Sequence, residues 1–177
     1  MRVVAGIYGG RRLVAPPGTA TRPTSDRVRE ALFSVLGAGV QGARVLDLYA
    51  GSGALGIEAL SRGAAAAVFV DHSPKAIAAV TANLEALGIE ARVRRMEARA
   101  ALRAPPDLAD PYDLVFLDPP YRRAAGLGRE LSEALPAVLA PGARIVSESD
   151  RREPLELGFP LTDERRYGDT VIRIHEP

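Results

Sequence analysis

The chain has 177 residues, a length that suits one globular domain and lets the folded chain bury roughly 70% of its unfolded surface. It has no cysteine and two histidines, which excludes disulfides, cysteine-ligated zinc and thiol catalysis, and we expect no metal site. The net charge is +1, no stretch approaches the ~18 apolar residues of a membrane span, and no signal-peptide core begins the chain, so we expect a cytoplasmic protein that avoids membranes.

The N-terminal segment is predicted to form a small arm in front of the main domain. Residues 3–7 and 12–14 favour a short β-hairpin, and the prolines and glycine of residues 16–24 favour a loop. We therefore expect a single domain over residues 1–177, with residues 1–24 as a hairpin and loop arm.

Positive charge is concentrated in and just after this arm. Residues 1–42 contain six arginines against Asp26 and Glu30, a net charge of +4, which leaves −3 for the remainder. A basic arm on a mildly acidic body is typical of a protein that contacts a polyanion, although solvated surface arginines would give the same pattern. Lys75 is the only lysine, and the planar fork of arginine suits phosphate groups.

The first helix is predicted over residues 26–36. Ser25 is a suitable N-cap, Asp26 favours the first turn, and Gly37 is a stop signal. We expect the arginines of this helix to lie on its polar side.

The rest of the chain alternates between strands and helices. Strands are predicted at 44–49, 66–71, 91–93, 112–117 and 143–147, helices at 54–62, 74–87, 98–103 and 127–139, and a closing antiparallel pair at about 162–167 and 170–175. This alternation predicts an α/β fold, a mostly parallel sheet with helices on both faces, to which the closing hairpin adds antiparallel strands at one edge. Ligands of such sheets bind beyond the carboxyl ends of the strands.

A glycine loop follows the first strand. Gly51, Gly53 and Gly56 have the G-x-G-x-x-G spacing, and Asp71 ends the second strand 20 residues after Gly51. Glycines let the backbone approach a ligand, and a carboxylate in that position can accept hydrogen bonds from a ribose. The pattern fits a dinucleotide as well as a nucleoside.

Two observations favour a nucleoside. A dinucleotide enzyme needs a larger second half, for which this chain has no room. Asp47 lies inside the strand end, where a buried carboxylate needs partners that a cationic ligand or the loop amides could supply. S-adenosylmethionine carries both a sulfonium and an ammonium group.

The loop D-L-Y-A-G-S-G, residues 47–53, resembles the first motif of class I methyltransferases. That resemblance implies a Rossmann-like fold with a seven-stranded sheet and S-adenosylmethionine as cofactor. It also implies that Asp71 holds the ribose, that Glu97 and Ala98 contact the adenine, and that Asp47, Gly51 and Gly53 flank the methionine part. Tyr49, Ala50 and Ser52 of the same loop are further candidates for binding the cofactor. An acid at a helix start is an equally good interpretation of Glu97.

A second motif, Asp118-Pro119-Pro120-Tyr121, directly follows the fourth strand. An exocyclic amine conjugated to a base or amide is a poor nucleophile. The Asp118 carboxylate and the Pro119 carbonyl would accept hydrogen bonds from the two N–H groups of this amine and favour a tetrahedral nitrogen. Asp118 would also lie beside the cofactor. Tyr121 would stack on the base. The motif resembles that of methyltransferases acting on adenine N6, guanine N2 or glutamine amides.

Further segments extend the resemblance over nearly the whole chain. They are Gly6-x-x-Gly9-Gly10-Arg11, residues 22–33, residues 58–63 (EALSRG) and residues 167–170 (YGDT). Together they resemble the small-subunit ribosomal RNA guanine-N2 methyltransferases. The resemblance implies methyl transfer to N2 of one guanine of 16S rRNA in the small ribosomal subunit or its assembly intermediate, by what we expect to be a monomer.

Arginines near the predicted site are candidates for contact with RNA. Those of the arm and first helix would bind phosphates: Arg11, Arg12, Arg22, Arg27 and Arg29. Arg122 and Arg123 would hold flanking nucleotides. Thr24 would contact RNA, cap the helix or touch the cofactor, and the sequence leaves these open.

Other functions remain open at this stage. A methyltransferase for adenine N6 of DNA or RNA shares the motif, but the DNA enzymes commonly carry a separate target-recognition domain. A protein glutamine methyltransferase would need a groove for a peptide instead of an arginine-rich arm. A non-enzymatic ribosome-assembly factor would bind RNA without transferring methyl groups.

Overall fold

The computed structural model describes residues 1–18, 25–103, 111–119 and 124–177. The helices are α1 (Asp26–Leu36), α2 (Ala54–Ser61), α3 (Pro74–Leu87), α4 (Ala98–Leu102) and α5 (Ala124–Ala134). The strands are β1 (Arg44–Asp47), β2 (Ala66–Asp71), β3 (Arg92–Arg95), β4 (Tyr112–Leu117), β5 (Leu139–Asp150), β6 (Leu161–Tyr167) and β7 (Thr170–His175). Short 3₁₀ turns follow α1 and α5 at Gly37–Val40 and Leu135–Val138.

The strands form one seven-stranded sheet in the order β3-β2-β1-β4-β5-β7-β6. The first five run parallel, while β7 pairs antiparallel with both β5 and β6. The prediction of a mostly parallel sheet closed by an antiparallel hairpin is confirmed. The order changes direction between β1 and β4, and ligands bind at such a switch point in open α/β sheets.

The alternation of side chains along each strand divides the core into two layers. One layer packs α1, α2 and α3 on the face that carries Val45 and Phe116. The other packs α4 and α5 on the face that carries Val115 and Leu117. The helices therefore cover both faces, as predicted, and the carboxyl ends of the parallel strands stay accessible between them.

Capping explains where the predicted helices begin. The Ser25 hydroxyl accepts a hydrogen bond from Val28 N at 3.3 Å, and α1 ends at Gly37 as expected. Ser73 caps α3 in the same way, with Pro74 in the first helical turn. None of the described helices is long and apolar enough to cross a membrane.

Some element boundaries differ from the predicted ones. The N-terminal hairpin shrinks to a single bridge between Arg2 and Arg12, because residues 5–10 form turns. β5 is longer than predicted at both ends: Leu139 pairs with Tyr112 of β4 at its start, and β7 supports it to Asp150 at its end. α5 begins at Ala124, before the predicted start.

The expected orientation of Arg29 was wrong. This residue of α1 is 0% exposed, and its guanidinium donates to Asp26 Oδ1 and to the carbonyl of Arg2, each at 2.6 Å. It faces inward because the N-terminal arm and Glu58 of α2 cover that side of the helix, with 3.9 Å between Arg29 Nη1 and Glu58 Oε2. Arg29 therefore holds the arm and is not a contact for RNA.

Candidate active site

The glycine loop connects β1 to α2 at the switch point of the sheet. Gly51 and Gly53 have φ values of 57° and 78°, a conformation that glycine adopts without strain. At Gly56 a Cβ would lie 2.3 Å from the ring of Phe69, so this position needs glycine for the close packing of α2 on β2. Gly51 and Gly53 thus allow the conformation of the loop, and Gly56 allows α2 to pack closely on β2.

Asp71 ends β2 and holds the glycine loop in place. One oxygen of its carboxylate accepts from Gly51 N at 3.0 Å, and the other accepts from Ser73 N at 2.8 Å. Each carboxylate oxygen has a second lone pair, so the group can still accept from a ribose hydroxyl. His72 beside it is half-exposed, with 3.6 Å between its Nδ1 and Asp71 Oδ1.

Asp47 is buried at the end of β1. Its carboxylate accepts from Gly56 N at 3.0 Å. The pKa of Asp47 is raised to about 7, chiefly by burial; the Gly56 hydrogen bond lowers it and the charge of Asp71 raises it. Because burial disfavours the charged form of this carboxylate, a cation nearby would stabilise it.

A cavity of about 200 Å³ is lined by three of the predicted cofactor residues, Tyr49, Glu97 and Ala98, whereas Asp47, Asp71 and Asp118 are not among its lining residues. Tyr49, His72, Glu97, Ala98 and Pro119 all line it, so it joins the ends of β1, β2, β3 and β4. Glu97 is the N-cap residue of α4 without a side-chain cap hydrogen bond, and Ala98 behind it is buried. Ala50, Gly51, Ser52 and Gly53 lie in the loop beside the cavity, although they are not among its lining residues.

The predicted catalytic motif begins at the end of β4. Asp118 is half-buried and Pro119 is buried against the cavity. Burial raises the pKa of Asp118 well above its usual range, and the charges of Glu148 and Asp47 add to this effect. The predicted residues Pro120, Tyr121, Arg122 and Arg123 lie outside the described residues, as do Arg22 and Thr24 of the arm.

Glu148 of β5 is a site residue that the sequence did not indicate. It is only 4% exposed and follows the last residue pair of the β4–β5 ladder, Leu117 with Ser147. Asp47 ends β1, Asp118 directly follows β4 and Glu148 lies within β5, so the three acids belong to three adjacent parallel strands. The acid-rich run Ser147–Asp150 was the only sequence signal that could have drawn attention to Glu148.

Glu58 and Ser61 of α2 fasten the N-terminal arm. The buried Glu58 carboxylate accepts from Val4 N at 2.7 Å and from Ala5 N at 3.0 Å. Ser61 Oγ accepts from Tyr8 N at 3.0 Å. The EALSRG segment (residues 58–63), one of those that carry the family resemblance, therefore also anchors the N-terminal arm to the domain.

Asn83 of α3 links the arm to the glycine loop. Its Oδ1 accepts from Val14 N at 2.7 Å, while its Nδ2 donates to the carbonyl of Val14 at 2.9 Å and to that of Ser52 at 2.8 Å. The side chain uses both donors and an acceptor, a combination that only Asn and Gln offer. No local sequence pattern indicates this role, because Val14, Ser52 and Asn83 come together only in the folded chain.

Apart from the buried Arg29, the described arginines of the RNA prediction lie on the surface. Arg11, Arg12 and Arg27 are exposed, and Arg11 Nη2 donates to the carbonyl of Ala86 at 3.0 Å. Their contacts with RNA stay a prediction. Within the described ranges, no three His, Cys, Asp or Glu side chains cluster as a metal site would require.

Comparison with known proteins identifies relatives that align over nearly the whole of this chain. The family model described as "Conserved hypothetical protein 95" matches residues 1–176. Ribosomal RNA small subunit methyltransferase D of Escherichia coli (strain K12) is 39% identical over 99% of this chain and 89% of its own. YlbH of Bacillus subtilis (strain 168), named as a candidate rRNA methyltransferase, is 40% identical over 99% of this chain and 98% of its own.

A solved structure shares the whole fold. A hypothetical protein of Thermus thermophilus superposes with a TM-score of 0.85 at 30% identity, covering 100% of this chain and 99% of that one.

Proposed function

The chain belongs to the conserved hypothetical protein 95 family, and from this premise we propose that it methylates N2 of a guanine in 16S rRNA, using S-adenosylmethionine. One observation carries the proposal: the cavity at the switch point is lined by Tyr49 after β1, His72 after β2 and Pro119, the second residue of the Asp118-Pro119 motif. A cofactor site and an amine-binding motif therefore share a single cleft.

The residues of the cleft fit the charge of the cofactor. S-adenosylmethionine supplies a methyl group on a positively charged sulfur and also carries an ammonium group. Asp47 and Asp118 both have raised pKa values because burial leaves their charges poorly compensated. A bound cation would stabilise both carboxylates, so the chain's own electrostatics favour this ligand over a neutral or anionic one.

Asp118 and Pro119 would orient the reacting amine. The Asp118 carboxylate and the Pro119 carbonyl would each accept a hydrogen bond from the amine. These two bonds would direct the nitrogen lone pair toward the methyl group. Bound S-adenosylmethionine would supply the methyl group, and the electron pair of its C–S bond would stay with sulfur as the N–C bond formed. The raised pKa of Asp118 lets its carboxylate take the proton that nitrogen releases and pass it to water. Positioning of this kind could contribute up to ~7–11 kcal/mol of barrier lowering.

The substrate follows from kinship and charge. The E. coli relative is named for ribosomal RNA of the small subunit. Arg11, Arg12 and Arg27 are exposed on the arm and α1, where they would bind RNA phosphates. We place the reaction on the small subunit or its assembly intermediate, in the cytoplasm, with the enzyme as a monomer.

Transfer of labelled methyl groups to small-subunit particles tests this function. Particles from a strain that lacks the endogenous enzyme are incubated with the protein and labelled S-adenosylmethionine, and the rRNA is digested to nucleosides. We expect label in N2-methylguanosine. Label in N6-methyladenosine would favour the adenine alternative, label in protein glutamine would favour the glutamine alternative, and particle binding without label would indicate an assembly factor.

A further inference from the structure

Glu148 lies beside the catalytic aspartate in the sheet. β4 and β5 are parallel neighbours, and the residues one position beyond the pair Leu117 and Ser147 are Asp118 and Glu148. Paired residues of adjacent parallel strands point to the same face from backbones about 4.8 Å apart. β5 continues past this point, with Glu148 opposite Ile172 of β7, so its backbone is held on the far side.

The environment of Glu148 is unusual for a glutamate. The residue is 4% exposed, and its charge helps to raise the pKa of Asp118. A buried carboxylate next to a second one costs folding free energy. The methyl transfer described above does not use Glu148.

The Watson–Crick edges of the candidate bases differ beside the reactive amine. In guanine the N2 amine is flanked by N1–H, which is a donor, whereas in adenine the N6 amine is flanked by an unprotonated N1, which is an acceptor. Two adjacent carboxylates offer acceptors to both donors of guanine. The same pair would place a negative charge against the N1 lone pair of adenine.

We propose that Glu148 selects guanine, its carboxylate accepting a hydrogen bond from N1–H while Asp118 binds the N2 amine. This inference rests on the proposed function and supplies a physical basis for the choice of base. It makes Glu148 a specificity-determining residue of the cleft. Enzymes that read an extruded base do so through hydrogen bonds to this edge.

A base analogue separates this role from a structural one. Small-subunit particles are reconstituted with 16S rRNA carrying either guanine or 2-aminopurine at the target position. 2-Aminopurine keeps the 2-amino group but has an unprotonated N1. Initial rates of labelled methyl transfer are measured for the wild type, for Glu148→Gln and for Glu153→Gln, which removes a charge from an exposed residue beyond β5.

We expect the wild type and Glu153→Gln to prefer guanine over 2-aminopurine. In Glu148→Gln the amide can donate to the unprotonated N1, so the ratio of the guanine rate to the 2-aminopurine rate should fall by roughly 10-fold or more, as for loss of a hydrogen bond to a charged group. Equal wild-type rates on the two bases, or an unchanged ratio in Glu148→Gln, would overturn the proposal.

Two controls keep these outcomes distinct. Calorimetric binding of S-adenosylhomocysteine verifies that each variant is folded. If Glu148→Gln does not fold, Glu148→Asp tests the same ratio of rates. The shorter side chain withdraws the carboxylate by one methylene and weakens the hydrogen bond from N1–H. An unchanged ratio in Glu148→Asp would again overturn the proposal. Wild-type protein that forms no N2-methylguanosine on guanine particles would instead refute the proposed function itself.

Discussion

At the scale of single residues, Asp47 shows how burial tunes the cleft for a cation. Its pKa of about 7 means that the free protein holds a proton there at acidic pH, and a bound cation has to displace it. We therefore expect the affinity for S-adenosylmethionine to rise as the pH increases from about 6 to about 8. Titration calorimetry across this range measures the trend, and a flat profile would contradict the role given to Asp47.

Asp47→Asn should separate stability from binding. The folded-state pKa lies above the ordinary value of 3.8, so the contribution of Asp47 to stability is complete at low pH and is lost as the pH rises toward 7. At a pH of about 8 without ligand, Asp47→Asn should raise the melting temperature while weakening cofactor binding by about 10-fold or more. Glu85→Gln, an exposed change on α3, is the matched control and should alter neither. A lower melting temperature for Asp47→Asn would argue against burial as the cause.

The Asp118 carboxylate is expected to act on turnover more than on cofactor affinity. Asp118→Ala should reduce the methyl-transfer rate by about 10²-fold or more, because it removes both an acceptor for the amine and the proton acceptor. Asp118→Asn keeps one acceptor oxygen and should retain more activity than Asp118→Ala. Single-turnover rates, with S-adenosylhomocysteine binding as a folding check, measure the difference. Turnover of Asp118→Ala equal to that of the wild type would refute the mechanism.

At the scale of elements, α3 joins the arm to the cofactor loop through Asn83. Asn83→Asp would set a carboxylate against the carbonyls of Val14 and Ser52, whose hydrogen bonds the native amide donates. We expect faster hydrogen exchange in both the arm and the glycine loop, together with weaker S-adenosylhomocysteine binding.

Ser61→Ala is the comparison for this prediction, since Ser61 contacts the arm but not the loop. It should speed exchange in the arm alone and leave cofactor affinity within about 2-fold of the wild type. Exchange measured by mass spectrometry distinguishes the two patterns. If Asn83→Asp increased hydrogen exchange only in the arm, the hydrogen bond from Asn83 to Ser52 would not stabilise the glycine loop.

At the scale of the whole molecule, the basic arm and the far edge of the sheet should behave differently toward RNA. Removing Arg11 and Arg12 together should flatten the salt dependence of rRNA binding, by roughly 0.7–0.9 in log–log slope for each phosphate that is no longer neutralised. Arg165 and Arg166 of β6 form ion pairs with Asp163 and Glu164, so their removal should leave the slope unchanged. Fluorescence titrations at several salt concentrations test both, and equal slopes for the two double variants would contradict the arm's role.

The sequence by itself determined the order of elements and the chemical motifs, because both depend on local signals. Ser25 and Ser73 cap helices through neighbouring backbone groups, and the glycines at 51 and 53 serve a turn formed within a few residues. Alternation of strands and helices was enough to predict a parallel sheet with ligands at its carboxyl edge. The same locality explains why Asp71 and Asp118 were correctly placed at strand ends.

Only the tertiary structure decided which way distant side chains point and whom they meet. Arg29 lies in a helix pattern that predicts an exposed position, yet the arm and Glu58 cover it. Glu148 becomes a neighbour of Asp118 through the β4–β5 register, and Asn83 meets Val14 and Ser52 through the packing of α3. Register and packing are set by the whole core, so contacts between residues far apart in the chain leave no local pattern from which to predict them.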